Sequence, residues 1–305
     1  MGRLVPIALG SLVAAAALSI GTQQPAPIRL DVNLVQLHVR VTNSAGHAVA
    51  GLGKSAFRLL VDDAPQKITV FQGEDAPVTA GIVVDNSASM ATKREEVIAA
   101  ALSFARASNP KDQMFVVHFN NVVRFALPKG TRFTGSVSEL EAAIAAFELG
   151  GTTAFYDALL AAESQFKFAA YSRKVLLTIT DGGDNASRAA LADALNGARQ
   201  AGIVVYPIGV FDEDDRDRNP AVLQKIAEQT GGEAFFPKQV SDVTATCVKI
   251  AQDIREQYTL GFPGADDGQY HRIRLTVKDP NYGPLEAHTR SGYIANRPST
   301  PGARK

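Results

Sequence analysis

Between Thr79 and Tyr258 the 305-residue chain repeats one pattern, and that pattern restricts its fold more than any other feature. Short apolar runs at 80–84, 114–119, 175–179 and 203–208, with a weaker one at 234–236, alternate with longer stretches of helical periodicity. Those stretches fall at 93–107, 137–147, 154–168, 187–201, 221–229 and 240–257. Strands that are apolar on both faces and separated by helices require a mainly parallel sheet covered on each side, a Rossmann-like, doubly wound α/β arrangement. Ligands of such sheets sit beyond the carboxyl ends of the strands, so the residues that follow each strand are where function is expected.

The flanks have a different period. Residues 28–72 alternate apolar and polar positions through Leu30, Val32, Leu34, Leu37, Val39 and Val41, then Phe57, Leu59 and Val61, then Ile68, Val70 and Phe71. Turn residues interrupt them at Asn43-Ser44-Ala45-Gly46 and Asp62-Asp63-Ala64-Pro65. Strand patterns return at 258–262, 271–277 and 286–293. Neither flank is long enough to close a core alone, so the two are expected to pair into a small β-sandwich beside the central domain. The expected organisation is an export signal at 1–24, an N-terminal β segment at 25–76, the α/β domain at 77–258, a C-terminal β segment at 259–296 and a disordered Pro-rich tail at 297–305.

Met1-Gly2-Arg3 precedes the uncharged run 4–20 and then Gly21-Thr22-Gln23-Gln24, the layout of a secretory signal. A retained signal anchor is the competing reading, since the run is near the lower limit for a spanning helix, and membrane association is expected only if this segment stays uncleaved. The formal net charge is zero and no basic cluster is interleaved with aromatics, which excludes the long-range attraction nucleic acid needs. A lone cysteine, Cys247, rules out an intrachain disulfide and reads as a small buried hydrophobe.

Three post-strand segments carry hard oxygen donors. The first core strand runs into Asp85-Asn86-Ser87-Ala88-Ser89, Gly150-Gly151-Thr152-Thr153 opens the helix at 154–168, and the run ending in Thr180 is followed by Asp181-Gly182-Gly183. One carboxylate with two hydroxyls, a third hydroxyl and a second carboxylate suit Mg²⁺ or Mn²⁺, with a coordination position left for an incoming group. Taken singly, each has a plainer reading: Ser87 and Ser89 as caps of the following helix, Asp181 as a turn residue.

Together, Asp85-x-Ser87-x-Ser89, Gly151-Thr152 and Thr180-Asp181-Gly182 resemble the metal-ion-dependent adhesion site of von Willebrand factor A-type (VWA) domains. The resemblance implies that Ser87, Ser89 and Thr152 contact the metal by hydroxyl, while Asp85 and Asp181 bind directly or through water. The flanking strings VTNSAGHAVAGLGKSAFRLLVDDAPQKITVF, QYTLGF and RSGYIA resemble the secreted bacterial VWFA-related proteins of the acidobacterial type. The implied function is a non-catalytic, secreted or envelope-bound module that engages an Asp or Glu carboxylate of a protein partner through the metal. A metal-dependent hydrolase is the rival, and a structural envelope protein in which metal only stabilises the fold is a third reading.

Other features read as background. Asp157 suits the dipole of a helix start, the acidic run Asp212-Glu213-Asp214-Asp215 with Asp217 reads as a solvated loop rather than a second cation site, and His118 as a structural or edge residue at a strand end. Gly51-Leu52-Gly53-Lys54-Ser55 lacks the first glycine and the strand-loop-helix setting of a phosphate loop. The five histidines form no H-E-x-x-H pair.

Overall fold

The computed structural model describes residues 34–73, 75–146, 149–211 and 218–295. The signal at 1–24, the first apolar positions Leu30 and Val32, the acidic loop at 212–217 and the tail at 297–305 lie outside them. Strands β1 (Leu34–Asn43), β2 (Phe57–Val61), β3 (Ala64–Gln66) and β4 (Val70–Gln72) lead into β5 (Thr79–Asp85). Then follow α1 (Arg94–Ala107), β6 (Gln113–Phe119), β7 (Val123–Phe125), α2 (Val137–Ala145), α3 (Phe155–Gln165), β8 (Lys174–Thr180), α4 (Leu191–Ala201), β9 (Ile203–Gly209), α5 (Pro220–Thr230) and α6 (Asp242–Arg255). Strands β10 (Tyr258–Pro263), β11 (Tyr270–Val277), β12 (Leu285–His288) and β13 (Gly292–Ile294) finish the described chain.

The central sheet has the order β7-β6-β5-β8-β9, parallel except for the antiparallel edge strand β7. Its side chains divide by the two-residue period of a strand. Ala80, Ile82 and Val84 join Val116, Leu177, Ile208 and the apolar faces of α1, α2 and α6. Val83, Phe115, Val117, Leu176 and Val205 face α3, α4 and α5. Gly81 lies where a Cβ would come within 2.5 Å of the Phe115 ring, so the close approach of β5 to that ring depends on glycine.

The terminal strands pair across the chain ends as expected. One sheet has the order β12-β1-β10-β4 and the other β13-β11-β2-β3, so each contains strands from both flanks. Leu37, Val39, Tyr258, Leu260 and Phe262 of the first meet Phe57, Leu59, Ile273, Val277 and Tyr293 of the second in one core. Asp62 and Asp63 both take positive φ (48° and 65°), the two-residue turn that joins β2 to β3 with the twist a hairpin needs. The opposite face of β1 carries Arg40, whose guanidinium donates to Asp253 of α6 at 2.9 Å and also to Glu233.

Three expectations need correction. The run at 234–236 makes only one parallel bridge, Ile208 with Phe235, and so does not extend the sheet by a strand. The run at 286–293 is two strands in two sheets, β12 on β1 and β13 on β11, and Thr289 to Ser291 carry the change of sheet. The helix expected from residue 187 begins at Leu191, since Ser187 is held in a turn by Asp184. Among the described residues no helix is long and apolar enough to cross a membrane.

Candidate metal centre

β5 and β8 are adjacent and in register, which places the residues after their last positions side by side at the carboxyl edge of the sheet. Asp85 ends β5 and is almost fully buried; one of its oxygens accepts from the Ser87 backbone N–H at 2.9 Å and the other from the Thr180 hydroxyl at 2.6 Å. Asp181 follows β8 and is equally buried; its Oδ1 accepts from the Gly183 N–H at 3.0 Å. Its Oδ2 accepts from the Ser89 hydroxyl at 2.5 Å, and Ser89 Oγ lies 3.1 Å from Ser87 Oγ. Four of the five expected residues thus form one hydrogen-bonded chain.

The fifth, Thr152, is exposed on the neighbouring loop, and its position follows from the backbone. Gly150 donates to the Asn86 carbonyl at 2.9 Å, and Ala88 donates to the Gly151 carbonyl at 3.2 Å. Both glycines have positive φ, 129° and 81°, conformations that L side chains adopt at a cost. Gly151 also packs where a Cβ would meet the Asn121 side chain at 2.3 Å. The turn therefore delivers Thr152 to the rim of the Asp85 loop, and among the described residues the Thr152 hydroxyl takes no hydrogen bond.

Ser87 is the N-cap of the 3-10 turn Ala88–Lys93, yet its side chain makes no capping hydrogen bond. The capping explanation therefore does not hold for Ser87, whose hydroxyl is turned toward Ser89. The turn explanation holds for one oxygen of Asp181 only. Asp85 titrates well above the ordinary carboxylate range, pushed up to about 7 by burial first and by the neighbouring Asp181 second. No Lys, Arg or His forms an ion pair with either carboxylate among the described residues.

That donor set fits a small hard divalent cation: two buried carboxylates without a counter-charge, and hydroxyls held next to them. It is poor in the ligands that soft or borderline metals favour. Among the described residues no group of three or more His, Cys, Asp or Glu side chains converges. The nearest imidazole, His118, is a buried interior residue of β6 rather than an edge residue. Its Nε2 lies 2.9 Å from the Ala143 carbonyl and its Nδ1 2.7 Å from Asn86 Nδ2, so it braces the loop.

Residues 81–257 match the von Willebrand factor type A domain family. The chain belongs to that family. None of the curated proteins matches the sequence. Among solved structures, a von Willebrand factor type A protein from Catenulispora acidiphila superposes with a TM-score of 0.55 at 17% identity, covering 82% of this chain and 76% of its own. That share exceeds what residues 81–257 alone can supply, so the likeness of fold reaches into the flanking sandwich. Proximal thread matrix protein 1 from the mussel byssus, with a zinc-occupied MIDAS motif, gives 0.51 at 19% identity over 68% of this chain and 50% of its own. The vWF domain of the type V pili tip protein Mfa5 from Porphyromonas gingivalis gives 0.50 at 14% identity over 59% and 95%.

Several supporting residues of this VWA domain do more than the sequence reading assigned to them, or confirm it. Thr180 holds Asp85, and its only signal was its place just before Asp181. Lys93 is buried and donates to the Val210 carbonyl at 3.1 Å, which a charged residue at a helix start does not announce. Asp157 lies in the first turn of α3 as expected, but its carboxylate accepts from the Arg188 and Ala189 backbones at 3.0 Å each, clamping the loop after β8. Asp184 accepts from the Tyr156 N–H at 2.8 Å and so ties that loop to α3. Cys247 is fully buried and burial pushes its thiol up to about 12, in keeping with a packing role.

Proposed function

We propose that the VWA domain is a non-catalytic protein-binding module of a secreted or envelope protein, and that Asp85, Ser87, Ser89, Thr152 and Asp181 hold one Mg²⁺ or Mn²⁺. The observation that carries this reading is the Ser87-Ser89-Asp181 chain, in which the N-cap Ser87 hydroxyl turns to Ser89 instead of capping and the Ser89 hydroxyl donates to the Asp181 carboxylate. Bound there, the ion would supply a Lewis-acidic position for an oxygen ligand. Ser89 and Thr152 are the exposed members of the set, so an incoming group approaches from their side. With only two anionic residues in the set, the site stays electrophilic, and an Asp or Glu carboxylate of a partner is the natural complement. Thr180 and the Ser87 N–H keep Asp85 oriented, and His118 with Asn86 keeps the loop from collapsing.

The zinc-occupied MIDAS motif of the byssus protein and the pilus-tip setting of the Mfa5 domain agree with this reading, as does the signal-like segment at 1–24. Calorimetric titration of Mg²⁺ and Mn²⁺ into the protein and into Ser87→Ala/Ser89→Ala tests the metal. Saturation near one ion per chain, lost in the double variant, is expected; equal or absent binding in both proteins rejects the site. Capture of an envelope protein that depends on divalent metal and is reversed by chelator tests the partner.

A further inference from the structure

At the opposite, amino edge of the parallel sheet lies a cleft of about 330 Å³ between the start of β8, the end of α4 and the sandwich strands β1 and β13. Lys174, Arg199 and Arg290 line it, with Ser172, Gln36 and His38, and no Asp or Glu is among its described lining residues. Beside it lies a separate void of about 10 Å³ that shares Gln36, His38, Arg199 and Arg290 with the cleft and is bounded also by Thr289. We propose that this cleft is an oxyanion site for phosphate or a phosphate monoester.

Three observations support the assignment. The cations are built in rather than draped over the surface. Arg290 donates to the Gln36 carbonyl at 2.9 Å and the Arg199 carbonyl at 3.3 Å, and Lys174 donates to the Ala201 carbonyl at 3.2 Å. The backbone of Arg290 passes so close to Gly231 that a Cβ there would come within 2.5 Å of its nitrogen. Second, of six buried side-chain polar atoms without a partner among the described residues, three, Arg199 Nε, Arg290 Nε and Thr289 Oγ1, belong to residues that line this small void. Buried polar atoms are mostly satisfied in native proteins, and a void of that size holds one water at most, so these exceptions mark hydrogen-bonding capacity left unused beside the cleft rather than contacts to the anion itself.

Third, the charge is not balanced. Helix C-terminal carbonyls attract cations, and capping of α4 is the plainer role for Lys174 and Arg290. A helix end, however, carries only about half a unit of negative charge, against three cationic side chains. Burial lowers Arg290 to about 10 and lowers Lys174 as well, with no carboxylate relieving either. His38 is lowered to about 3 by burial and then by Arg173, Arg290 and Lys174, so it stays neutral and adds no charge of its own. A multiply charged oxyanion meets several donors at once, which a single carboxylate does not.

The test is independent of the metal site because it is run in chelator. Inorganic phosphate and glycerol 1-phosphate are titrated into the full chain and into Lys174→Gln/Arg199→Gln, with chloride at matched ionic strength as the control. Saturable binding that raises the melting temperature of the parent protein, at least tenfold weaker in the variant, is expected. Tighter binding of the ester identifies an esterified phosphate as the source; equal or tighter binding of inorganic phosphate identifies the free ion. Should the double variant fold poorly, Lys174→Gln alone, at the rim, is expected to weaken binding about threefold. Phosphate no more effective than chloride, or folded variants that bind like the parent, would overturn the proposal.

Discussion

The two edges of the parallel sheet carry opposite kinds of unbalanced charge, and the interface beside them shows what balance looks like. Among the described residues, Asp85 and Asp181 are buried at the carboxyl edge without a cation, and Lys174, Arg199 and Arg290 share a cleft at the amino edge without a carboxylate. A strand of seven residues separates them, about 23 Å at the usual rise per residue. Between the sandwich and α6, by contrast, Arg40 sits between Asp253 and Glu233; the Arg40–Asp253 pair is nearly sealed from water, while Glu233 stays open to it. Burial of charge is thus handled in two ways, by an internal partner where the role is structural and by an open concave site where a ligand can complete it.

The sharpest way to break this contrast is to unbalance the balanced region. Arg40→Met leaves Asp253 buried with only Lys249 nearby, at 3.0 Å and half exposed, to compensate. Loss of one partner of a buried pair is expected to cost about 3–5 kcal/mol in urea unfolding, and Arg40→Met/Asp253→Leu to recover most of it. If the single variant lost less than about 1 kcal/mol, the pair would not be the structural opposite of the two sites.

The carboxyl edge is expected to respond to pH with the reverse sign of an ordinary salt-bridged carboxylate. Asp85 has a folded-state value raised to about 7 from 3.8, so the folded chain holds this proton more tightly than the unfolded chain. In chelator, stability is therefore greatest below the unfolded value and falls as pH rises from about 4 to about 7, by about 2–4 kcal/mol. Asp85→Asn should remove that slope and be the more stable protein at pH 8. Saturating Mg²⁺ should reverse the order at pH 8, since only the parent retains the full ligand set. Denaturant unfolding at several pH values reads all three arms, and a parent protein with no slope in chelator would show that Asp85 is not short of a counter-charge.

Much of this was legible in the sequence because it rests on period and placement. The switch from two-residue to helical periodicity near Thr79 and back near Tyr258 marks where the sandwich gives way to the α/β layers, and Asp85, Ser87, Ser89 and Asp181 stand where parallel strands end. What did not show depends on contacts across long separations. The change of sheet at Thr289 to Ser291 interrupts an otherwise continuous strand pattern where the backbone of Thr289 and Arg290 packs against Gly231, a contact that the local sequence does not announce. β7 is three residues long, too short for any periodic signal. The basic cleft draws on residues as distant as Gln36, Lys174 and Arg290, and a chain of zero net charge gives no hint that they converge.

The smallest expected effect comes from a surface trio that is balanced but wet. His271 donates or accepts between Asp62 at 2.7 Å and Asp267 at 3.0 Å, and these two hydrogen bonds raise its pKa above the usual 6.5. The sign is opposite to that of Asp85: a raised histidine contributes stability that is fully present below its unfolded value and is lost as pH rises through its folded value. Both carboxylates are exposed, so solvent screens the interaction and the contribution is small. His271→Gln should lower the melting temperature at pH 5.5 by about 2 °C or less, leave it unchanged at pH 8.5, and lose the difference in 1 M salt, where the screening length is about 3 Å. A larger loss that persists in salt would place His271 with Arg40 as a packing residue, in keeping with its ring stacked 5.1 Å from Tyr293, and would move the boundary between wet and sealed pairs inward to the edge of the sandwich.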